Sequence, residues 1–466
     1  MSSKKNSIIK TLQNDILFAI NIETREDLRA KYFVGAGAFT RNRKLPYLTT
    51  LSMMLRNDKR NLSLTTQTYF IDSLADNLSK AKEKLSVDEM VEGKEAVVNS
   101  APTGSAFCQQ RAKINPVLFR DWLRTIADNF YCDVPCVLWH GMILTSFDGS
   151  RVKVPATQDL VKQYGRNSDN SANEKPLSMM CVHYDVLNGV ILDAAKGTAR
   201  TAEQRLAYEI LDDIVPKPYH ELFLCDRAYT SFRLMWSIIE MGNYFVIRAS
   251  KTRTLTIKEF YDSGADEATI NIACSAKSHA EMVKKGMKLP CEATIQVRAI
   301  RYRLPNGDDE ILLTNLPADE FPVKTIGELY PLRWGVETAI GFIKNEEQLE
   351  VCQGLTDTCF TQGFYISLIL YSICSIVSMM DEEYVRNYNN EGHKYQYKIN
   401  RNDCWPHMQR LIPLCFRNID YIQFILYELA DLFKCNLIPI RPGRHYRRNL
   451  RGTGKYVTFL NYKRAI

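Results

Sequence analysis

The segment YPLRWGVETAIGFIK carries four side chains that can bind phosphate or a metal ion: Tyr330, Arg333, Glu337 and Lys344. On a helix that turns about 100° per residue, all four fall within an arc of about 60°. Apolar residues occupy the arc beside it, and this pattern predicts a helix with one buried stripe and a reactive stripe at its edge. The reactive stripe is also compatible with a solvated surface that holds an ordinary ion pair between Arg333 and Glu337.

Two further carboxylates follow apolar runs that predict buried strands. Asp148 comes after GMILTSF, where the pair Asp148-Gly149 also predicts a turn, and Asp226 comes after ELFLC. Residues at strand ends line the binding sites of open α/β sheets, and a carboxylate buried there needs a partner. Three clustered carboxylates repel one another unless a cation neutralises them, and hard oxygen ligands suit Mg²⁺ or Mn²⁺. Two such ions can activate water for phosphodiester cleavage.

The elements that must position these acids lie between residues 139 and 322. Residues 139–252 predict a first hairpin turning at Asp148-Gly149, a second turning near Asn188-Gly189, and then helix, strand, helix and strand. Residues 253–322 predict a mainly β segment with strands at TLTIKEF, ATINIACSA, ATIQVRAIRYRL and EILLTNL. The fold class expected from this order is α/β, with a β-rich insertion before the helix that carries Glu337.

The flanking regions are predicted to be mostly helical. Within residues 1–138, the stretch Ser105 to Phe130 predicts two helices joined near Asn115-Pro116, which fits a helix-turn-helix and two simply packed helices about equally. The run Phe364 to Met380 is apolar enough for a membrane span, but it has 17 residues and contains four serines. We therefore predict a central buried helix and no membrane partner.

Length, charge and cysteine content narrow the class of protein. A chain of 466 residues predicts two to four domains, and its net charge of +7 is concentrated at the end. No acidic residue follows Asp431, and aromatic residues are interleaved with the basic residues of this tail. This pattern favours a tail that contacts the phosphate backbone of a nucleic acid over a tail that is only solvated. The arginines concerned are Arg441, Arg444, Arg447, Arg448 and Arg451. Thirteen scattered cysteines without a C-x-x-C predict reduced thiols in a cytosolic protein without a zinc site, and the N-terminus lacks a signal-peptide core.

The three acids and the Tyr330–Lys344 spacing resemble the DDE transposases of the insertion-sequence-4 group of bacteria. That group's signature is Tyr, two residues, Arg, three residues, Glu, six residues, Lys, which this chain matches at every position. The motif CDRAYTS resembles the family's second-acid motif and supplies Asp226, Arg227 and Tyr229, and SFDGSRV supplies the first acid. The resemblance covers roughly residues 35 to 466.

The resemblance implies an RNase H-like catalytic core with a β-rich insertion, a helical N-terminal domain and a basic C-terminal region. The boundaries expected are a DNA-binding region at 1–138, the core at 139–252 and 323–380, the insertion at 253–322, and a helical region with the basic tail at 381–466. Asp148, Asp226 and Glu337 would be the catalytic acids and bind two Mg²⁺ ions, with Mn²⁺ as a substitute. Tyr330, Arg333 and Lys344 would hold DNA phosphates, with Arg227 and Tyr229 in support.

The activity implied is cleavage at the ends of an insertion sequence and joining of the freed 3′-OH to target DNA. The partners would be double-stranded DNA, both terminal inverted repeats and target, bound by a homodimer in the bacterial cytoplasm at the nucleoid. Some relatives hold a flipped base with a Trp just before the strand run that corresponds to Leu312–Thr314. Here Glu310 and Ile311 stand at that place, and Tyr302 is the nearest upstream strand aromatic. Two alternatives stay open: a metal-dependent nuclease that does not join DNA, and an inactive relative that only holds DNA ends.

Overall fold

The computed structural model describes residues 3–40, 44–81, 101–165, 176–304 and 307–441, and its central feature is a sheet of eight strands. The order across the sheet is β3-β2-β1-β4-β5-β8-β7-β6. The bounds of these strands are β1 Ile143–Lys153, β2 Leu177–Asp185, β3 Ile191–Thr198, β4 Glu221–Cys225, β5 Tyr244–Ala249, β6 Glu267–Ala273, β7 Thr294–Arg303 and β8 Asp309–Thr314. The mixed α/β class predicted from the sequence is confirmed.

Strand β1 is the longest strand and lies between β2 and β4 in the sheet. It pairs antiparallel with β2 through Lys153 and parallel with β4 only as far as Ser146, and β5 is parallel to β4. The turn predicted at Asp148-Gly149 is wrong, because Asp148 pairs with Val182 and Gly149 with Cys181 inside one continuous strand. The turn predicted near Asn188-Gly189 is confirmed between β2 and β3, where Gly189 has φ +72° and adopts the left-handed conformation that favours glycine.

The β-rich segment extends the same sheet. Strands β5, β8, β7 and β6 pair antiparallel in that order, so the strands predicted at ATINIACSA, ATIQVRAIRYRL and EILLTNL are confirmed. The strand predicted at TLTIKEF is wrong, because these residues form a helix, Leu255–Asp262. The Thr254 side chain caps this helix by accepting the Ile257 N–H at 3.2 Å. Its buried residues are Ile257 and Phe260, three positions apart, which is a helical and not a strand period.

Helices cover both faces of the sheet. One face packs against a group of four helices: α8 Glu203–Asp212, α9 Phe232–Glu240, α10 Leu255–Asp262 and α11 Ala276–Lys284. The opposite face packs against α12 Val323–Leu329, α13 Trp334–Asn345 and α14 Asp357–Ser378. The short α7, Gln158–Tyr164, follows β1. A sheet covered on both sides explains why the central strands β4 and β5 are mostly apolar and buried.

Helices from the two ends of the chain form one continuous apolar core with α14. The N-terminal helices are α1 Ser3–Ile20, α2 Glu26–Tyr32, α3 Tyr47–Arg56, α4 Leu62–Ala81, α5 Gly104–Arg111 and α6 Val117–Asp133. After α14 come α15 Glu382–Asn389, β9 Gln396–Ile399, α16 Arg401–Cys415, α17 Ile422–Lys434 and β10 Leu437–Ile440, with β9 and β10 forming a two-stranded sheet. The helix pair predicted around Asn115-Pro116 is confirmed as α5 and α6, and its use in DNA binding stays a prediction.

Helix α1 shows how closely the two ends are joined. It packs against α6, α14 and α17. The Tyr427 hydroxyl of α17 donates to the Asn6 side chain at 3.0 Å, and the Gln423 amide donates to Gln13 at 2.7 Å. Helices α1 and α17, which are far apart in sequence, therefore pack side by side in the same helical layer.

Helix α14 contains the apolar run that is long enough for a membrane span. Within the described residues, one helical stretch, 357–389, meets the length and hydropathy criteria for such a span, and 89% of its most apolar window is buried inside the protein. The prediction of a centrally buried helix is confirmed.

An ion cluster fixes the neighbouring α6 to β3, where Asp193 accepts from Arg120 at 3.0 and 2.9 Å and from Arg124 at 2.6 Å.

Candidate active site

Two of the predicted acids are neighbours across the paired strands β1 and β4. The parallel register sets Ser146 opposite Leu224, and Asp148 and Asp226 are each two residues further along their strands. Because β4 ends at Cys225 while β1 continues, Asp226 lies at the end of its strand and Asp148 within its own. The sheet therefore brings both carboxylates to one edge, although the turn expected at Asp148 does not exist.

Asp226 also starts the short 3-10 helix that follows β4. Its Oδ1 accepts the Ala228 N–H at 2.7 Å and so fixes the turn Arg227–Tyr229. Arg227 is exposed in this turn, whereas the Tyr229 ring is buried and stacks on Phe147 with ring centroids 6.0 Å apart. The predicted supporting residue Tyr229 therefore packs beneath the acids, and Arg227 faces solvent.

The Tyr330–Lys344 segment is not one uniform helix. Tyr330–Arg333 forms a 3-10 turn with Pro331 near its start, and α13 begins at Trp334. The apolar face of α13 packs on β1 and β2, as predicted from the helical period, and this places Glu337 over the acids of the sheet edge. Arg333 Nη2 donates to Glu337 Oε1 at 2.8 Å, so the ion pair considered in the sequence is present.

The Tyr330 hydroxyl is buried and already occupied. It donates to the carbonyl oxygen of Cys225 at 3.2 Å, directly before Asp226. Burial raises the pKa of this phenol well above its usual range, so it is neutral. The sequence predicted a phosphate contact, but in this structure Tyr330 ties the segment before α13 to the end of β4.

Lys344 lies beside the far part of β1. Its Nζ donates to the Ser150 hydroxyl at 3.1 Å and to the Arg151 carbonyl at 2.7 Å, and it lies 3.7 Å from Glu350. These contacts hold the ammonium two residues beyond Asp148 along the same strand. A positive charge is therefore fixed close to the acids.

Electrostatics reveal a fourth carboxylate that the sequence analysis did not predict. Burial raises the pKa of Asp148 to about 7, with further increases from the Glu203, Glu337 and Asp226 carboxylates, and Arg333 opposes them. Glu203 opens α8, on the sheet face opposite α13. The only sequence signal for it is an acidic residue at the start of an amphipathic helix, a position that the helix dipole alone explains.

The donor set suits a hard divalent cation by its chemistry. Carboxylate oxygens are the ligands that Mg²⁺ and Mn²⁺ prefer, and a bound cation would offset the burial and the carboxylate repulsion that together raise the pKa of Asp148. Within the part of the chain that the structure describes, no three Asp, Glu, His or Cys side chains converge closely enough to hold an ion as they stand. Two of the predicted acids each have one oxygen engaged, because Glu337 pairs with Arg333 and Asp226 caps the 3-10 turn.

The structure describes only some of the other residues that were considered as DNA contacts. Arg441 is exposed just after β10, while Arg444, Arg447, Arg448 and Arg451 lie outside the described residues. Glu310, at the place where some relatives carry a Trp, pairs with Arg248 at 3.0 Å. The Tyr302 ring packs against α12 so closely that a Cβ added at Gly327 would lie 2.1 Å from it. Glu310 has no ring to stack on a base, and the half-buried Tyr302 ring packs against α12.

The part of the chain that holds this site matches a known protein family. Residues 139–373, just over half of the chain, match the family described as Transposase DDE domain, and the match runs from immediately before β1 into α14. The chain belongs to the DDE transposase family. Asp148, Asp226, Glu337 and the other residues of the Tyr330–Lys344 signature all fall inside the matched region of this transposase.

A full-length relative supports the same assignment. The transposase is 22% identical over 351 residues to "Transposase InsG for insertion sequence element IS4" of Escherichia coli (strain K12), and the alignment covers 74% of this chain and 75% of the relative. The similarity thus extends well beyond the matched domain. The resemblance to the insertion-sequence-4 group, stated from the sequence, is confirmed by these two comparisons.

Proposed function

We propose that this transposase binds the terminal inverted repeats of an insertion sequence, hydrolyses the phosphodiester bond at each end, and joins the freed 3′-OH to target DNA. One observation carries the proposal. Asp148 and Asp226 lie side by side at one sheet edge, and α13 brings Glu337 over them. Clustered carboxylates beside fixed cations are suited to phosphoryl transfer with bound metal.

The sheet topology supports an RNase H-like core. Its first five strands run in the order β3-β2-β1-β4-β5, with β2 antiparallel to β1 and with β4 and β5 parallel to it. The β-rich segment then adds β8, β7 and β6 to the free side of β5. We assign 139–252 and 323–380 to the core, 253–322 to the insertion, 1–138 to a DNA-binding region and 381–466 to a C-terminal region with a basic tail.

Asp148, Asp226 and Glu337 are the proposed metal ligands, and the ions are two Mg²⁺ with Mn²⁺ as a substitute. When bound, such ions lower the pKa of water and stabilise negative charge on phosphate oxygens. Glu337 accepts from Arg333 through Oε1, and its second oxygen, Oε2, could bind an ion while that bond is kept.

Arg333 is well placed to receive a phosphate oxygen. Its side chain is 7% exposed, and its Nε has no hydrogen-bond partner in the structure. A planar guanidinium with an open donor binds phosphate through two parallel hydrogen bonds. Lys344, held beside β1, contributes a second positive charge, and Tyr330 sets the position of Asp226 through the Cys225 carbonyl.

The partners follow from this chemistry. Double-stranded DNA is the substrate, both as terminal repeat and as target, and two copies of the chain hold the two paired ends in the bacterial cytoplasm at the nucleoid. Arg441 and the basic tail after it, including Arg444, Arg447, Arg448 and Arg451, are proposed phosphate-backbone contacts. The contacts of Glu310 and Tyr302 give no support to a base-stacking hairpin step at those two residues.

The test is a cleavage and joining assay with purified full-length protein. Labelled duplex DNA from the flanks of the gene is mixed with a supercoiled target plasmid and Mg²⁺ or Mn²⁺. Unmodified protein is compared with Glu337→Gln and with Glu346→Gln, an exposed control just beyond α13. We expect metal-dependent cutting at the repeat boundary and joined products, abolished in Glu337→Gln and retained in Glu346→Gln.

The other outcomes identify the alternatives. Cutting without joined products, with target present, would replace the proposal with a nuclease. Binding of the repeat without cutting by the unmodified protein would replace it with an inactive relative that holds DNA ends. Equal cutting by Glu337→Gln would remove Glu337 from the catalytic set.

A further inference from the structure

The loops after β3, β4 and β5 lie at the edge of the sheet where Asp226 is found. Strand β3 is parallel to β1, because both pair antiparallel with β2, and β4 and β5 are parallel to β1 as well. The three loops therefore leave the sheet at the same edge. They carry Arg200, Arg227 and Arg253, and all three arginines are exposed. One exposed arginine thus follows each of these strands, on the side of the sheet where the second acid lies.

These three arginines differ from the other arginines of the same region in having no carboxylate partner. Residues 200–303 include nine arginines. Six of them lie 2.7–3.7 Å from an Asp or Glu oxygen: Arg205, Arg233, Arg248, Arg298, Arg301 and Arg303. Among the residues that the structure describes, no such ion pair forms at Arg200, Arg227 or Arg253. Their positive charges are therefore not balanced by the protein around them.

Hydrogen bonds join two of these loops and helix α8 through the 3-10 turn after β4. Arg253 Nη2 donates to the Thr230 carbonyl at 2.9 Å, and the Thr230 hydroxyl donates to the Arg248 carbonyl at 2.9 Å. The Gln204 amide of α8 donates to the Ala228 carbonyl at 3.2 Å. The turn after β4, the loop after β5 and the start of α8 therefore form one connected surface that begins at the second acid.

This surface, which we call the basic edge and define by Arg200, Arg227 and Arg253, suits a nucleic-acid backbone. Guanidinium groups bind phosphates through paired hydrogen bonds. The strand order places β3 and β5 four strand spacings apart, which is about 19 Å. A DNA strand that advances about 3.4 Å per nucleotide covers this width with about five or six nucleotides. The three cations can therefore contact one stretch of phosphate backbone.

The basic edge and the Tyr330–Lys344 segment belong to different sides of the site. Helix α13 packs on one face of the sheet, whereas α8, which is joined to the turn after β4, packs on the other. Joining needs two DNA molecules at the same carboxylates. The 3′-OH of the cleaved end bonds to a target phosphorus, the P–O3′ bond of the target breaks, and the released 3′-oxygen takes up a proton. A second phosphate-binding side therefore fits the target.

We propose that the basic edge binds the phosphate backbone of target DNA. The inference rests on the proposed function, because it assumes that the Tyr330–Lys344 segment holds the cleaved end and that joining occurs at Asp148, Asp226 and Glu337. It assigns the two DNA molecules to different elements: α13 holds the end of the insertion sequence, and the loops after β3, β4 and β5 hold the target.

The salt dependence of DNA binding tests these charge contacts without any turnover. Full-length protein is titrated with a fluorescent duplex of random sequence in EDTA at several salt concentrations. The variants are Arg200→Gln, Arg227→Gln, Arg253→Gln and the triple variant, because glutamine removes the charge but keeps an amide donor. The control is Arg303→Gln, at a side chain that is 78% exposed and already paired with an aspartate.

We expect the slope of log affinity against log salt to become shallower by about 1 for each single variant and by about 3 for the triple variant. The slope of Arg303→Gln should stay as in the unmodified protein. Circular dichroism and thermal unfolding check that every variant is folded, which is expected because the substituted side chains are exposed.

A joining assay tests which DNA the basic edge binds. A labelled duplex of the element end, a supercoiled target plasmid and Mg²⁺ are mixed with the triple variant or with unmodified protein. The amount of joined product is divided by the amount of cut ends. We expect this ratio to fall at least about 10-fold for the triple variant near physiological salt, and to recover at low salt, where each phosphate contact matters less.

The outcomes separate this inference from the proposed function. If cutting and joining fall together and the ratio is unchanged, the basic edge holds the element end and the inference is wrong. An unchanged salt slope would show that the three arginines are only solvated. Cutting without joining by the unmodified protein would overturn the inference while the three-acid site stands, and the absence of both would overturn the proposed function itself.

Discussion

At the scale of single residues, Tyr330 has a structural task that its place in the signature did not reveal. Its hydroxyl satisfies the buried Cys225 carbonyl and so couples the Glu337 helix to the Asp226 strand. Tyr330→Phe removes this donor from the buried Cys225 carbonyl. We expect a loss of about 1–2 kcal/mol in the free energy of unfolding, together with slower metal-dependent cutting.

Chemical denaturation of Tyr330→Phe and the unmodified protein measures this effect. Tyr384→Phe, at an exposed tyrosine, is the control and should change the free energy of unfolding by less than about 0.5 kcal/mol. Unchanged stability of Tyr330→Phe would show that the hydroxyl bond contributes nothing, and its role would then be limited to DNA.

The raised pKa of Asp148 predicts a pH dependence of stability in the metal-free protein. Because the folded-state pKa is about 7 and the usual value is 3.8, the folded state binds the proton more tightly than the unfolded chain. This contribution is fully present below about pH 4 and is lost as pH rises towards 7. The Asp148→Asn variant does not ionise, so its stability relative to unmodified protein should increase between pH 5 and pH 8.

Urea denaturation at both pH values, with a metal chelator present, checks the sign. Asp319→Asn, at an exposed aspartate, is measured beside it as the control. A difference that is constant with pH for Asp148→Asn would contradict the raised pKa of this buried carboxyl group.

At the scale of elements, the contact between α12 and β7 sets the path of the chain into the active site. A Cβ at Gly327 would lie 2.1 Å from the rigid Tyr302 ring, so Gly327→Ala must push α12 away from β7. We expect a destabilisation of about 1–3 kcal/mol and reduced cutting, because the displaced helix leads directly to Tyr330 and Glu337.

A double-mutant cycle with Tyr302→Leu tests this explanation. The cost of Gly327→Ala should be smaller when the ring is absent. Gly341→Ala provides the matched control, because Gly341 lies in α13 with no atom within 4 Å of an added Cβ, and it should stabilise the protein slightly. Equal costs of Gly327→Ala with and without the ring would exclude the ring as the cause.

At the scale of the whole molecule, the ion cluster of α6 and β3 binds the N-terminal helices to the eight-stranded sheet. Asp193 has a side chain only 7% exposed and accepts from both Arg120 and Arg124, whereas Asp213 is 54% exposed and lies 3.5 and 3.4 Å from them. Asp193→Asn should cost about 1.5–3 kcal/mol of stability and Asp213→Asn less than about 1 kcal/mol.

Thermal unfolding of the two variants compares these costs directly. The same scans show whether the helical region and the sheet still unfold together in Asp193→Asn. Equal effects of the two substitutions would mean that the buried hydrogen bonds of Asp193 do not hold the regions together.

Features of the fold and of the candidate site could be predicted where they follow from residue types and spacing within a short segment. The acids in order, the Tyr330–Lys344 spacing and most strands of the sheet are visible in this way, and the apolar run of α14 is too. Tertiary contacts determine the rest. TLTIKEF has strand-forming residues, yet the Thr254 cap and its packing make it a helix. Glu203 and the Tyr330–Cys225 bond depend on residues far apart in sequence, which no local pattern records.

The packing of α1 against α17 has a consequence for how the protein is made. Asn6 and its partner Tyr427 are 421 residues apart, so this contact of α1 forms only after α17 has been synthesised, whereas α6 can cover much of the apolar face of α1 earlier. A chain that ends before α17 would leave the part of α1 that packs on α17 open to chaperones and proteases. Chains that lack α17 are therefore expected to be degraded faster than chains that contain it.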